Sequence, residues 1–83
     1  MQKIVKEYTD DQQHIIDYLK RQVSIGQKYF KSKHIGLDLN MSPRTVGTNL
    51  IKISKKHKTL KILRYAETTA VTWMVEYNRY ARG

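Results

Sequence analysis

Two apolar patterns of helical period meet just past the middle of the chain, at the four-residue junction Asn-Met-Ser-Pro. The first pattern ends at Leu39, and Asn40 readily adopts the left-handed conformation that terminates a helix. Ser42 is a favourable N-cap, and Pro43 suits the first helical position, where its missing N–H costs no hydrogen bond. So short a break predicts two helices at a steep angle, with the second projecting from the domain.

Another helix is predicted upstream, over about residues 10–24. Thr9 and Gln12 have the spacing of a capping box, and Gly26 is a typical helix terminator. Ser32 is predicted to cap the second helix of the chain. Helical spacing predicts the following buried positions for the three helices: Ile15, Ile16, Leu19, Val23, Ile35, Leu39, Val46, Leu50 and Ile53.

Three segments favour strands. A short aromatic one covers residues 28–30, and residues 59–65 and 70–77 are rich in β-favouring side chains and form a predicted hairpin. Phe30 and Trp73 are interpreted as core residues rather than as a base-stacking platform, because each falls in an apolar pattern. The alternation predicts one common face for Val71, Trp73 and Val75.

The composition predicts one small domain spanning residues 1–83, with its core over about residues 9–77. Cysteine is absent, which excludes disulfides, thiolate nucleophiles and cysteine metal sites. No apolar run approaches the roughly 18–20 residues of a membrane span, and no signal-peptide pattern is present. We therefore expect a cytoplasmic protein, and we expect no cofactor.

The positive charge is concentrated in one region. The net charge is +9, and residues 1–27 and 65–83 are each neutral. Residues 28–64 contain ten Lys and Arg side chains and a single acid, Asp38. Such a regional excess is the pattern expected of a surface that binds a polyanion. The alternative from charge alone is a lysine-rich face that only contacts solvent.

The predicted order is helix, short strand, helix, tight turn, helix and hairpin. This order resembles a winged helix-turn-helix domain, an α+β fold with three helices, a short strand and a C-terminal β-hairpin wing. In this resemblance, Gly36 is the small residue that lets the second motif helix approach. Asn40 occupies the turn position usually held by Gly, and Met41 is the apolar residue of the turn.

Three segments are similar to a narrower family: YFKSKHIGLDL, VGTNL and TTAVTWMVE. They resemble small archaeal winged-helix proteins of unassigned function. The resemblance implies the winged-helix fold and an archaeal origin, but it implies no activity, because a fold does not fix a function.

The outward face of the third helix is the predicted DNA-reading surface. Opposite its apolar stripe lie polar and basic side chains without an acid, and Arg44 suits bidentate contacts to guanine. Lysines on this face suit phosphate contacts. The start of the second helix, where backbone N–H groups favour a phosphate, and the hairpin are expected to contribute. The predicted DNA-binding residues are Arg44, Thr45, Thr48, Lys52, Lys55, Ser42, Lys31, Ser32, Lys33, Lys56, Arg64 and Thr68.

Two functions remain open from the residues. One is a double-stranded DNA binder, most simply a transcription regulator. The other is a winged helix that binds RNA or protein within a transcription or RNA-processing assembly. A protein-binding version is expected to expose apolar residues on the third helix, where only Ile51 points partly outward.

Catalytic and metal-binding interpretations are weak. His34 and Asp38 are four residues apart and would share one helix face, but no third metal ligand is apparent. His57 is interpreted as a surface residue. No glycine-rich phosphate loop or Ser/His/Asp set is present, so we expect no enzyme and no small-molecule substrate.

The termini contain apolar and tyrosine residues without evident core partners. Because one domain of this size has a small footprint on DNA, specific binding usually requires two copies. The sequence therefore predicts a homodimer through the terminal residues Ile4, Val5, Tyr8, Tyr77 and Tyr80.

Overall fold

The computed structural model describes residues 7–66 and 71–78. These residues form three helices and one three-stranded antiparallel sheet, so the expected α+β class is confirmed. No helix in these two ranges is long and apolar enough to cross a membrane. The elements are α1 (Asp10–Ser24), β1 (Tyr29–Lys31), α2 (Ser32–Leu39), α3 (Pro43–Lys56), β2 (Leu60–Ala66) and β3 (Thr72–Tyr77).

The bounds of α1 are those predicted from its capping residues. The Thr9 hydroxyl accepts a hydrogen bond from the backbone N–H of Gln12, and the Gln12 side chain accepts one from the Thr9 N–H, each at 3.1 Å. This reciprocal pair satisfies two N–H groups that the helix leaves open. After Ile25, Gly26 adopts a φ of 99°, which ends the helix.

The junction between α2 and α3 also forms as its residues predict. Asn40 is left-handed, with φ 57° and ψ 49°, and the Met41 N–H donates to the Gly36 carbonyl at 2.8 Å. A Cβ atom on Gly36 would collide with the Met41 carbonyl oxygen, so this position requires glycine. The Ser42 hydroxyl accepts from the Thr45 N–H at 3.1 Å, which caps α3.

The prediction that Ser32 caps α2 is wrong. The N-cap is Lys31, and no side chain makes a cap hydrogen bond there. Ser32 is the first residue of α2 and is buried, with its hydroxyl accepting a hydrogen bond from the indole N–H of Trp73. The partner is 41 residues away in sequence, so local capping rules did not reveal it.

The sheet has the strand order β1-β3-β2, with β3 in the centre. Phe30 of β1 and Arg64 of β2 both stand opposite Trp73 of β3. The ladder between β2 and β3 is irregular between Arg64 and Ala66, which places one extra residue, Tyr65, in β2.

The core lies between the three helices and one face of the sheet. Trp73 is only 3% exposed and Phe30 only 2%, which confirms both as core residues. Val23, Leu39 and Val71 are partly buried and pack against this core. The buried apolar residues are Ile15, Ile16, Tyr18, Leu19, Phe30, Ile35, Val46, Leu50, Ile53, Leu60, Ile62, Trp73 and Val75.

Candidate functional site

The buried stripe of α3 fixes which side of that helix faces outward. Val46, Leu50 and Ile53 have no exposed surface. The side chain of Asn49 adds a polar link, since its amide oxygen accepts from Gln12 of α1 at 3.3 Å and its amide nitrogen donates to the Thr45 carbonyl at 2.9 Å. The helix is therefore held on the side opposite its basic residues.

The outward side of α3 presents four of the predicted contact residues to solvent. Arg44, Thr48, Lys52 and Lys55 are all exposed, and no acidic residue occurs in the sequence of this helix. Ile51 lies among them with 39% of its surface exposed. A cationic surface with one apolar side chain is thus the main feature of this face.

Three other predicted residues near α3 already have intramolecular contacts. The Ser42 hydroxyl, besides capping the helix, donates to the Thr45 hydroxyl at 2.8 Å. The Lys56 ammonium donates to the Glu7 carbonyl and lies 4.8 Å from the ring centroid of Tyr8. These groups support the helix ends and are less available for an external partner.

The predicted residues on other elements fall into different environments. Lys31 and Lys33 are exposed beside the start of α2, whereas Ser32 between them is buried. The Arg64 guanidinium lies over the Trp73 ring, 5.1 Å from its centroid, and so points to the helix side of the sheet. Thr68 lies outside the described residues.

A cleft of about 520 Å³ lies between α3 and the sheet. It joins residues that are far apart in sequence, with Arg44 from α3 and Arg64 from β2 both lining it. Its other lining residues are Ser32, Lys33, Pro43, Gly47, Thr48, Ile51, Val71 and Trp73.

His57 was interpreted as a surface residue, and the structure corrects this. Its side chain is half-buried at the end of α3, where Nδ1 accepts a hydrogen bond from the Leu60 N–H at 3.2 Å. Burial, and then the nearby charge of Lys20, lowers the pKa of His57 below its ordinary value of 6.5. The lowered pKa favours the neutral imidazole, and its hydrogen bond joins the end of α3 to β2.

In the possible metal-binding pair of His34 and Asp38, the carboxylate already has a hydrogen-bond partner. Asp38 accepts a 2.6 Å hydrogen bond from the Tyr18 hydroxyl. Burial, together with this bond and the carboxylate charge, raises the pKa of Tyr18 to about 12. Within residues 7–66 and 71–78, no group of three or more metal-ligating side chains occurs.

The outer face of the sheet has an apolar cluster that the sequence analysis missed. Tyr29, Met74 and Leu63 stand side by side across the three strands. Tyr65 joins them, with its ring centroid 5.0 Å from that of Tyr29. Three of these side chains, Tyr29, Leu63 and Tyr65, are at least 45% exposed. The signal was available, since these residues alternate with the core-facing ones.

The residues proposed for a dimer contact are only partly described. Ile4, Val5 and Tyr80 lie outside the described residues. Tyr77 has a partner within the chain, because its hydroxyl donates to the Lys20 carbonyl at 3.2 Å. Tyr8 packs beside the His57 ring, with centroids 5.8 Å apart. The predicted homodimer stays a prediction.

Comparison with known families gives one match, which covers residues 1–77. The matching family is described as a domain of unknown function, DUF7123. The chain belongs to this family. Neither the curated proteins nor the solved structures contain a match to the chain. The description of DUF7123 names no fold and no activity, so the resemblance to winged helix-turn-helix proteins stays a prediction.

In this DUF7123 protein, the cleft that sequence reasoning missed depends on strand pairing. Arg44 and Arg64 were predicted separately as contact residues; they are 20 residues apart and line one cleft because β2 pairs with β3 beside α3. Ile51 was recognised as partly outward, but the cleft that contains it was not. No local pattern in the sequence predicts such a cleft.

Proposed function

We propose that this protein is a winged helix-turn-helix domain that binds double-stranded DNA and regulates transcription. In this proposal α2 and α3 are the helix-turn-helix pair, and β2 and β3 are the strands of the wing. The close turn through Gly36, Asn40 and Met41 supports the assignment, because it is the geometry the motif requires. We further propose a non-enzymatic, cytoplasmic protein that binds DNA as a homodimer.

The observation that carries the proposal is the outward face of α3. This face is exposed and cationic. On the opposite side of the same helix, Val46, Leu50 and Ile53 are fully buried. A helix of this diameter fits the B-DNA major groove, which is about 12 Å wide. The helix can therefore enter the groove as a rigid element.

The chemistry of this face suits both kinds of DNA contact. Arg44, at the N-terminal end of α3, has the bidentate donor geometry that recognises the O6 and N7 atoms of guanine. Thr48 can bond to a base or a phosphate, and Ile51 can contact a thymine methyl group. Lys52 and Lys55 are exposed cations suited to phosphates. Lys31 and Lys33 extend the positive surface beside α2.

A salt titration of binding to duplex DNA tests this function. If about five phosphates are neutralised per domain, the plot of log K against log salt has a slope of about −4.5. Lys61→Ala is the matched control, since it removes one positive charge from β2, where Lys61 lies 4.0 Å from Glu76. We expect this control to retain the wild-type slope. Affinity that does not change with salt would contradict the proposal.

The outer face of the sheet favours a second candidate function, an interaction module for protein or RNA. Tyr29, Leu63 and Tyr65 expose apolar surface there, away from α3. Tyr65→Ser separates the two functions, because it disrupts this cluster without adding a charge and without changing the α3 face. Under the DNA proposal the variant binds duplex DNA like the wild type. A wild type that binds RNA or protein but not duplex DNA, and that loses this binding in Tyr65→Ser, favours the second function.

A further inference from the structure

The cleft between α3 and the sheet has the size of a small-molecule site. Its volume of about 520 Å³ lies within the range of roughly 300–1,000 Å³ typical of ligand pockets. Gly47 lines the cleft and adds no side chain to it, and a Cβ placed there would only just contact the Ser32 hydroxyl oxygen of α2, at 3.9 Å.

The floor of the cleft is apolar and fixed in place. Trp73 lines it, and its indole N–H is already used in the 2.8 Å hydrogen bond to Ser32, so the ring offers only carbon atoms to a ligand. Ile51 and Val71 flank the ring. A ligand that fills the cleft must therefore have an apolar part, since these groups cannot form hydrogen bonds to a polar group buried against them.

The rim of the cleft is positively charged. Lys33 from α2, Arg44 from α3 and Arg64 from β2 line it, and no carboxylate from residues 7–66 or 71–78 does so. Arg44 has a guanidinium group, which stacks on planar rings as well as binding anions, whereas that of Arg64 already lies over the Trp73 ring. The hydroxyl of Thr48 adds a hydrogen-bonding group. This combination favours an anion attached to a flat ring.

We propose that the cleft binds a small organic anion with a planar ring system, of the size and charge of a nucleoside monophosphate. In this arrangement the ring lies against Ile51 and the edge of Trp73, and the anionic group meets Arg44 and Lys33. The site belongs to the surface of this chain and does not depend on DNA.

The position of the cleft gives such a ligand a regulatory effect, and this second part depends on the DNA-binding function proposed above. Arg44 and Thr48 line the cleft and also belong to the outward face of α3. A ligand that occupies them competes with DNA for the same groups. The coupling is reciprocal, so DNA lowers the affinity for the ligand by the same factor.

Ligand titrations without DNA test the first part. Trp73 is the single tryptophan of the chain and lines the cleft, so its fluorescence reports on binding. The probes are adenosine and cytidine 5′-monophosphates, with the corresponding nucleosides and inorganic phosphate as controls. Backbone amide chemical shifts of Gly47, Thr48 and Ile51 locate the site independently of fluorescence.

We expect the monophosphates to bind, and the nucleosides and phosphate to bind at least about tenfold more weakly, because each lacks one set of contacts. Arg44→Ala should weaken the binding by about tenfold, whereas Lys61→Ala, which removes the same charge from β2, should not. Ile51→Ser tests the apolar contact and should weaken the monophosphates more than it weakens inorganic phosphate. Circular dichroism confirms that the variants are folded.

Three results would overturn the ligand site. Neither monophosphate perturbs Trp73 or the three amides at millimolar concentration; inorganic phosphate binds as well as the monophosphates; or Arg44→Ala binds them like the wild type.

Competition with DNA is then measured by adding the monophosphate to a complex of the protein with a labelled duplex. If the ligand binds but does not displace DNA, the competition is refuted and the site stands. If the protein binds no DNA, the titrations still decide the site.

Discussion

The indole N–H of Trp73 donates a buried 2.8 Å hydrogen bond to the hydroxyl of Ser32. The bond joins the central strand β3 to the first residue of α2. It satisfies the one polar atom of a tryptophan that is 3% exposed. It also orients the ring that forms the floor of the cleft, so the sheet and α2 are positioned relative to each other at this point.

Ser32→Ala should lower the free energy of unfolding by about 1–3 kcal/mol, because it leaves the buried indole N–H without an acceptor. Chemical denaturation followed by Trp73 fluorescence measures the change. Ser54→Ala is the control, since the Ser54 hydroxyl bonds to the Ile51 carbonyl within the same helix, α3. Equal stability of the two variants would show that the Trp73 bond contributes nothing specific.

Two glycines should respond in opposite ways to the same substitution. Gly36→Ala should destabilise the fold by about 1–3 kcal/mol, because the added methyl group meets the Met41 carbonyl oxygen. Gly47→Ala, inside α3, meets nothing closer than 3.9 Å. It should stabilise the protein by up to about 1 kcal/mol through helix propensity. Thermal and chemical denaturation of both variants check the signs, and a stabilising Gly36→Ala would contradict the close turn.

Stability should fall on mild acidification through His57. Its pKa is lower in the folded protein than the ordinary 6.5, so the unfolded chain binds the proton more readily. The contribution of His57 to the free energy of unfolding is therefore fully present above pH 6.5 and is lost as the pH drops through the folded pKa. His57→Asn keeps an acceptor for the Leu60 N–H but does not titrate. Denaturation curves of both proteins between about pH 7.5 and 5 should show the smaller loss for the variant.

If the proposed DNA-binding function holds, Arg44→Ala and Lys55→Ala should change DNA binding differently. Lys55→Ala should weaken binding to all sequences alike and make the salt slope shallower by about one unit, because it removes a phosphate contact. Arg44→Ala should cost about 1–3 kcal/mol and relax the preference at one base pair, because it removes a base contact. Both residues are exposed, so neither change should unfold the domain. Salt titrations with a selected and a scrambled duplex separate the two effects, and wild-type binding by both variants would exclude α3 as the reading element.

The elements of this fold were predictable where their signals are local. Thr9 with Gln12, Asn40, and Ser42 with Pro43 act on backbone groups within a few residues of themselves. They therefore set the start of α1 and the junction of α2 with α3 in almost any tertiary context. The inner stripe of α3 was equally readable, because a repeat of three and four residues places Val46, Leu50 and Ile53 on one side of a helix. The outward basic face follows from the same periodicity.

Other features depend on which strands and helices meet. Serine is a residue type that often caps helices, but the Ser32 hydroxyl accepts a hydrogen bond from Trp73 instead. This contact joins residues that are 41 positions apart in sequence. The cleft exists only because pairing of β2 with β3 brings Arg64 over the Trp73 ring beside α3. Periodicity and capping report the conformation of one segment at a time. The sequence by itself therefore determined the helices, their caps and the basic face of α3, while the packing of distant segments decided where Ser32, Arg64 and the cleft lie.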